Sequence, residues 1–157
     1  MTAEDLRAIG LFGALSDSVL EALCRTLSTL DAAPGDVIFR EGEAGHAMYV
    51  VLSGELEVLK RSRTGHESRV ALLGVRDWFG EMSVLDMLPR SASVRAVSAS
   101  TLLVITSADL DALYRRDLKA YTLVVQNVAR ELSRRLRVAD GLLAEIVLGF
   151  QDTYLSR

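Results

Sequence analysis

The 157-residue chain predicts a mainly β domain with flanking helices, an α+β fold in which an antiparallel jelly-roll β-sandwich is framed by N-terminal helices and a long C-terminal helix. Three observations carry this prediction. Apolar residues recur at helical spacing near both ends, they alternate with polar ones between Asp36 and Thr106, and Gly42, Gly54, Gly65, Gly74 and Gly80 punctuate that middle region. Short alternating runs closed by glycine turns fit a sandwich or jelly roll rather than a parallel sheet. One domain is expected, with helices over 1–33, the jelly roll over 34–106 and helices again over 107–157.

Residues 2–9 read as a short helix, and Gly10-Leu11-Phe12-Gly13 as a turn that tucks Leu11 and Phe12 against the body. Ser16 or Ser18 caps the next helix, with Glu21 three residues after Ser18 as in a capping box. Leu20, Leu23, Leu27 and Leu30 continue its apolar face. Ala32-Ala33-Pro34-Gly35 ends it.

From Asp36 the period changes to alternation. Val37 and Phe39 begin a strand, Gly42 to Gly45 turns it, and Met48 to Leu52 forms the next, stopped by Ser53-Gly54. Leu56 and Val58 point one way while Glu55 and Glu57 point the other, as in a half-buried strand. Val70 and Leu72 follow a polar tip around Gly65, and runs from Ala92 to Val97 and Leu102 to Ile105 complete the set.

Thr106 and Asp109 form another predicted capping box, opening a short helix through Tyr114. A long helix then starts near Asp117 or Leu118. Its stripe is Tyr121, Val125, Val128, Leu132, Leu136, Ala139, Leu143, Ile146 and Phe150, averaging about 3.6 residues per step. So long a stripe outruns the core it can cover. Gly141 is expected to break or bend the helix, or to cost about 1 kcal/mol relative to Ala if the helix runs through it.

Composition narrows the function. Eighteen basic residues against 21 acidic give a net charge of −3, so no basic field draws the chain to nucleic acid or anionic lipid. Cys24 is the single cysteine, which suits a reducing compartment and the cytoplasm, and reads as a small apolar helix residue. The first residues lack the basic-then-apolar pattern of a signal peptide, so export is not expected, and no apolar run approaches the ~20 residues a membrane helix needs. His46 and His66 lack the spacing of metal ligands, and Ser91 and Ser93 have no histidine nearby to act as base. An enzyme is not expected, and neither is a cofactor or metal.

The stretch from Gly74 to Val97 holds the chemistry. Arg90 offers a planar fork of donors that matches two phosphate oxygens. Gly80 lacks a Cβ, so a ligand can approach the backbone there. Glu81 and the four residues after it, including Met82 and Ser83, can form one helical turn whose first amides lack internal partners and favour an anion. Glu81 is acceptor-only and suits a sugar hydroxyl of the same ligand. A cyclic nucleotide presents both groups. An Arg90–Glu81 ion pair on a sandwich loop is the plainer alternative.

The run Phe79-Gly80-Glu81, then Leu85, then Pro89-Arg90-Ser91-Ala92-Ser93-Val94 resembles the phosphate-binding cassette of the cyclic nucleotide-binding domain family, here over 79–94. The resemblance covers roughly Leu11 to Leu136. It implies that Glu81 takes the ribose 2′-hydroxyl and Arg90 the cyclic phosphate, with Phe79, Gly80, Met82, Ser83, Ser91 and Ala92 around the ligand. It also implies that the long helix lies over the nucleotide as a lid, often forms a dimer seam, and meets the base near Arg135. A guanidinium can stack on a purine face; a solvated Arg135 in the Arg134-Arg135-Leu136-Arg137 run is the alternative.

The expected ligand is cyclic AMP, or cyclic GMP, and the expected role a sensor module that switches its C-terminal helix towards a second copy or an effector protein. The residues Gly141 to Arg157 are too few for a helix-turn-helix, so no nucleic-acid partner is expected. Bound phosphate is expected to draw Leu85 and Leu88 inward, and Arg90→Ala to remove affinity with the fold intact. The competing expectation is an interaction or dimerisation module with a degenerate nucleotide pocket.

Overall fold

In the computed structural model the backbone is described for residues 1–155 and side chains for residues 1–148. Phe150 of the predicted stripe therefore lies outside the described side chains. Two four-stranded antiparallel sheets face each other, with helices covering one of them. The strands are β1 (Ser28–Ala32), β2 (Val37–Phe39), β3 (Ala47–Ser53), β4 (Leu56–Arg61), β5 (Glu67–Leu73), β6 (Trp78–Phe79), β7 (Ser93–Ala96) and β8 (Ser100–Thr106). One sheet runs β1-β8-β3-β6 and the other β2-β7-β4-β5.

Strand alternation on β3 builds two cores at once. Met48 and Val50 point outward to join Leu103, Ile105 and Trp78 beneath the helices. Val51 points inward to meet Leu56, Leu73, Phe79, Val94 and Leu102 between the sheets. The helices over the outer core are α1 (Ala3–Arg7), α2 (Asp17–Thr26), α4 (Ser107–Arg116) and α5 (Leu118–Leu155), with a 3-10 turn at Gly10–Phe12. A sixth helical element, α3 (Glu81–Asp86), sits in the second half of the strand region.

α2 is shorter than its leucine spacing predicts. After Thr26, whose hydroxyl donates to the carbonyls of Ala22 and Leu23, the chain becomes β1 and pairs with β8 from Ser28 opposite Val104 to Ala32 opposite Ser100. Leu30 is exposed. Pairing with an open sheet edge overrides a local helical period. Ser16 takes the N-cap position of α2 without a side-chain cap bond, and the predicted Ser18–Glu21 box does not form.

Other expectations hold. Thr106 and Asp109 close a full capping box on α4, and α5 follows directly, with Asp117 accepting the amide of Ala120. On β4 a register shift between Val58 and Leu59 buries Leu59 as well as Leu56. Gly141 neither breaks nor ends α5. Its buried face is set by Ala120, Val124 and Val128, with Tyr121 and Leu132 partly buried, so the predicted stripe is in phase at Val128 and out of phase at Val125. Beyond it Leu136, Leu143 and Ile146 are exposed.

Candidate functional site

The site starts where β6 ends. Phe79 pairs with Tyr49 of β3, and its ring lies 5.3 Å from that of Tyr49 and 5.9 Å from that of Phe39. Gly80 then turns the chain into α3 at φ 79°, a left-handed conformation that suits glycine. A Cβ at Gly80 would stand 2.7 Å from Arg90 Nη1. The group that needs the open space at Gly80 is therefore Arg90 itself, where the sequence suggested a ligand.

Arg90 is held by backbone and by side chain. Its amide donates to Glu43 and its carbonyl accepts from Gly42, which ties it to the β2–β3 turn. Nη1 donates to Gly80 O at 2.8 Å and Nη2 to Ala47 O at 2.6 Å. The guanidinium lies 4.0 Å from the Phe39 ring centroid. Gly45 leaves the space for this arrangement, since a Cβ there would fall 2.5 Å from Arg90 Nε. Arg90 is 5% exposed, and Nε is buried without a hydrogen-bond partner among the described residues.

The alternative of an Arg90–Glu81 ion pair is thereby corrected. Among the described residues Glu81 is bridged to Arg135 instead, which also bridges Glu131. Arg90 has neutral carbonyls as its bonded acceptors. Burial pushes the Arg90 guanidinium below its ordinary value, while Tyr49, Glu43 and Glu81 pull it back up.

Glu81 is 3% exposed at the first position of α3. Burial pushes its carboxyl above the ordinary 4.5, with Glu131 adding to the rise; its own backbone amide, Arg135 and Arg90 act against it. Arg135, on α5, reaches across to donate from Nη1 to Glu81 at 3.3 Å and from Nη2 to Trp78 O at 2.9 Å, while Nε donates to Glu131 at 3.1 Å. Arg135 is thus bonded through all three of its nitrogens while its side chain stays 39% exposed.

All nine residues singled out from the sequence, Phe79, Gly80, Glu81, Met82, Ser83, Arg90, Ser91, Ala92 and Arg135, line one cavity of about 400 Å³. Phe79 contributes mainly to the core beneath it. Ser91 makes only a long contact from Oγ to Met82 Sδ at 3.7 Å, and its carbonyl accepts from Lys60. Leu85 and Leu88 are exposed.

Sequence reasoning missed the opposite wall. Val58, Ala71, Leu72 and Val94 supply an apolar side, and Glu131 closes the helix side. Strand alternation flagged Val58 as inward. Nothing local marked Ala71, which reaches the cavity because it pairs with Val58 next to the β4 register shift. Among the described residues no cluster of three or more His, Cys, Asp and Glu is placed to hold a metal.

Comparison with known proteins was made against this geometry. A family model described as the cyclic nucleotide-binding domain matches residues 29–117, more than half of the chain. A CRP-like cAMP-activated global transcriptional regulator of Mycobacterium tuberculosis is 32% identical over 144 residues, covering 92% of this chain and 62% of that protein. The chain therefore spans under two thirds of that relative's length. The crystal structure of the Thermus thermophilus catabolite activator protein superposes with a TM-score of 0.78 at 37% identity, covering 88% of this chain and 63% of that one. A cyclic nucleotide-binding domain from Methylobacillus flagellatus gives a TM-score of 0.83 at 26% identity over 91% of this chain and 83% of that one.

Proposed function

The chain belongs to the cyclic nucleotide-binding domain family, and from that premise we propose that it is a cyclic AMP sensor module whose cavity takes the ring phosphate at Arg90 and the ribose at Glu81. The observation that carries this reading is a buried guanidinium with an unpartnered Nε and no bonded carboxylate, beside a buried carboxylate in the same cavity. A buried cation without an anion is costly, and a phosphate supplies the missing charge together with acceptors for the free donor. The carboxylate would repel phosphate and accept from a hydroxyl, so the two side chains require two different ends of one ligand.

Ligand and helix then compete for Glu81. Arg135 already donates to it. A ribose hydroxyl arriving there displaces or re-seats Arg135, and the fixed α3 turn draws Leu85 and Leu88 inward towards α5. The shift in helix position is driven by the difference in ligand affinity between the two arrangements, since equal affinity for both would move nothing. The exposed part of α5 is the output face, docking a second copy or an effector protein. The role is binding and signalling in the cytoplasm, with no catalytic step. It is supported by the family. No helix among the described residues is long and apolar enough to cross a membrane. The preference for cyclic AMP rests on the similarity to cyclic AMP-responsive regulators, and Ser91 is compatible with either base.

Calorimetric titration with cyclic AMP and cyclic GMP tests this. The wild-type chain should bind cyclic AMP, and Arg90→Ala should lose at least about thirtyfold in affinity, as expected for removing a buried charge-assisted contact worth about 2–5 kcal/mol. Wild-type heat with neither nucleotide would instead establish the degenerate-pocket interaction module, for which the exposed α5 stripe already offers a face.

A further inference from the structure

Strand β4 pairs with β7 only as far as Leu59, which lies opposite Ser93. Beyond it, side chains take over from the ladder. The amide of Arg61 donates to Glu41 Oε2 at 3.1 Å, and Lys60 Nζ donates both to Glu41 Oε1 at 2.8 Å and to the Ser91 carbonyl. Glu41 is itself fixed, since its amide donates to the buried Ser93 hydroxyl at 2.9 Å. Lys60 and then the Arg61 amide hold the Glu41 carboxyl below its ordinary 4.5, so the pair is charged near neutral pH. An exposed ion pair by itself is worth little. This one has a third member, a backbone carbonyl directly after Arg90.

Ser91 and Ala92 line the nucleotide cavity, whereas Lys60 and Glu41 stand outside it. The peptide between Ser91 and Ala92 is trans, and a trans peptide points its carbonyl and its amide to opposite sides. Pinning the Ser91 carbonyl outward on Lys60 therefore turns the Ala92 N–H towards the cavity. Among the described residues neither the Ser91 nor the Ala92 amide donates to any group, so that N–H is open to a ligand. Rotated the other way, the same peptide would present a carbonyl oxygen, an acceptor that repels phosphate.

We propose that Lys60, anchored by Glu41, is a positioning residue for the ligand: it holds the Ser91–Ala92 peptide so that the Ala92 N–H bonds one of the two exocyclic phosphate oxygens beside Arg90. This rests on the nucleotide reading above and adds to it a residue that sets affinity from outside the cavity. One hydrogen bond of ordinary net worth corresponds to about a two- to tenfold change in affinity.

Calorimetric titration of the full chain with cyclic AMP and with its two phosphorothioate diastereomers, in each of which sulfur replaces a different exocyclic oxygen, tests it. Lys60→Met keeps the stem and removes the donor, so its affinity for cyclic AMP should fall about two- to tenfold, while Lys60→Arg still reaches both acceptors and should stay within about twofold of wild type. The deciding readout is the ratio of affinities for the two diastereomers. Sulfur is the poorer acceptor, so wild type should discriminate at the oxygen that Ala92 bonds. In Lys60→Met that bond is already gone, and the ratio should shift by up to the same factor. A missing charge or a looser loop weakens both diastereomers alike, so an unchanged ratio overturns the proposal, as does an unchanged affinity for cyclic AMP. Glu41→Gln keeps an acceptor for the Arg61 amide while loosening Lys60, and carries the same comparison should Lys60→Met fail to fold. Heat in wild type with an unchanged ratio in the variants overturns the positioning role alone. Absence of heat in wild type overturns the nucleotide site and the positioning role together.

Discussion

A guanidinium packed on Phe39 and bonded to two neutral carbonyls has lost most of its water and gained no opposite charge. Arg90 is nonetheless bolted to three parts of the chain, the 42–47 turn, Gly80 and Phe39 of β2, so its removal should lower the melting temperature as well as the affinity. That revises the expectation that Arg90→Ala leaves the fold untouched. Glu81 yields a pH prediction. Its folded value is raised above 4.5, chiefly by burial, so the native state holds a proton that the unfolded state has released as pH climbs past that value. The stabilisation is complete below about 4.5 and is lost as pH rises through the raised folded value. Urea midpoints of the ligand-free protein measured from pH 4 to 7 should fall over this window in wild type and stay flatter in Glu81→Gln; parallel profiles would show that the carboxyl titrates normally. Arg90 and Glu81 were legible in the sequence because their pairing is local, nine positions apart. Gly45 was not, because the group that excludes a Cβ there comes from 45 positions away.

Elements were legible where a local signal was also the final arbiter. The box at Thr106 and Asp109 forms because both partners lie within one turn of α4. The β1 segment was misread because its helical leucine period is local and its pairing with β8 is some 70 residues distant. The turn between β5 and β6 shows a related conflict. Arg76 sits at φ 77° without being glycine, held there by its amide bond to Val51 O and by Asp77 closing on Gly74. A left-handed residue with a Cβ costs roughly 1–2 kcal/mol, part of which glycine returns through its freer unfolded chain. Arg76→Gly should therefore raise stability by about 0.5–1 kcal/mol in urea unfolding. The side chain is exposed, so a loss of stability would mean that Arg76 makes a contact the fold depends on.

At the scale of the molecule, α5 is two different helices in one. Its first half is committed to the body: Ala120, Val124 and Val128 are buried, and Asn127 Nδ2 donates to the carbonyls of Leu11 and Gly13, both at 3.1 Å. From Leu136 to Leu148 it carries its apolar residues in the open. The sequence showed the stripe and its excess length. It could not show the division, because Asn127 finds its acceptors 114 and 116 residues earlier in the chain. The boundary places the part of α5 that a ligand can move beyond Asn127, around Leu132 and Arg135, and makes the 3-10 turn part of the fixed frame. Asn127→Leu tests this. It keeps the side chain's size and leaves two carbonyls without their donor, which should cost about 1–3 kcal/mol in urea unfolding. Hydrogen exchange should speed up at residues 10–13 and in the first turns of α5. Arg130→Ala is the control, because it removes only an exposed donor to Asn127 Oδ1, and it should stay within about 0.5 kcal/mol of wild type. If Asn127→Leu were equally silent, the first half of α5 would be held by apolar packing alone, and the hinge would have to be sought nearer Asp117.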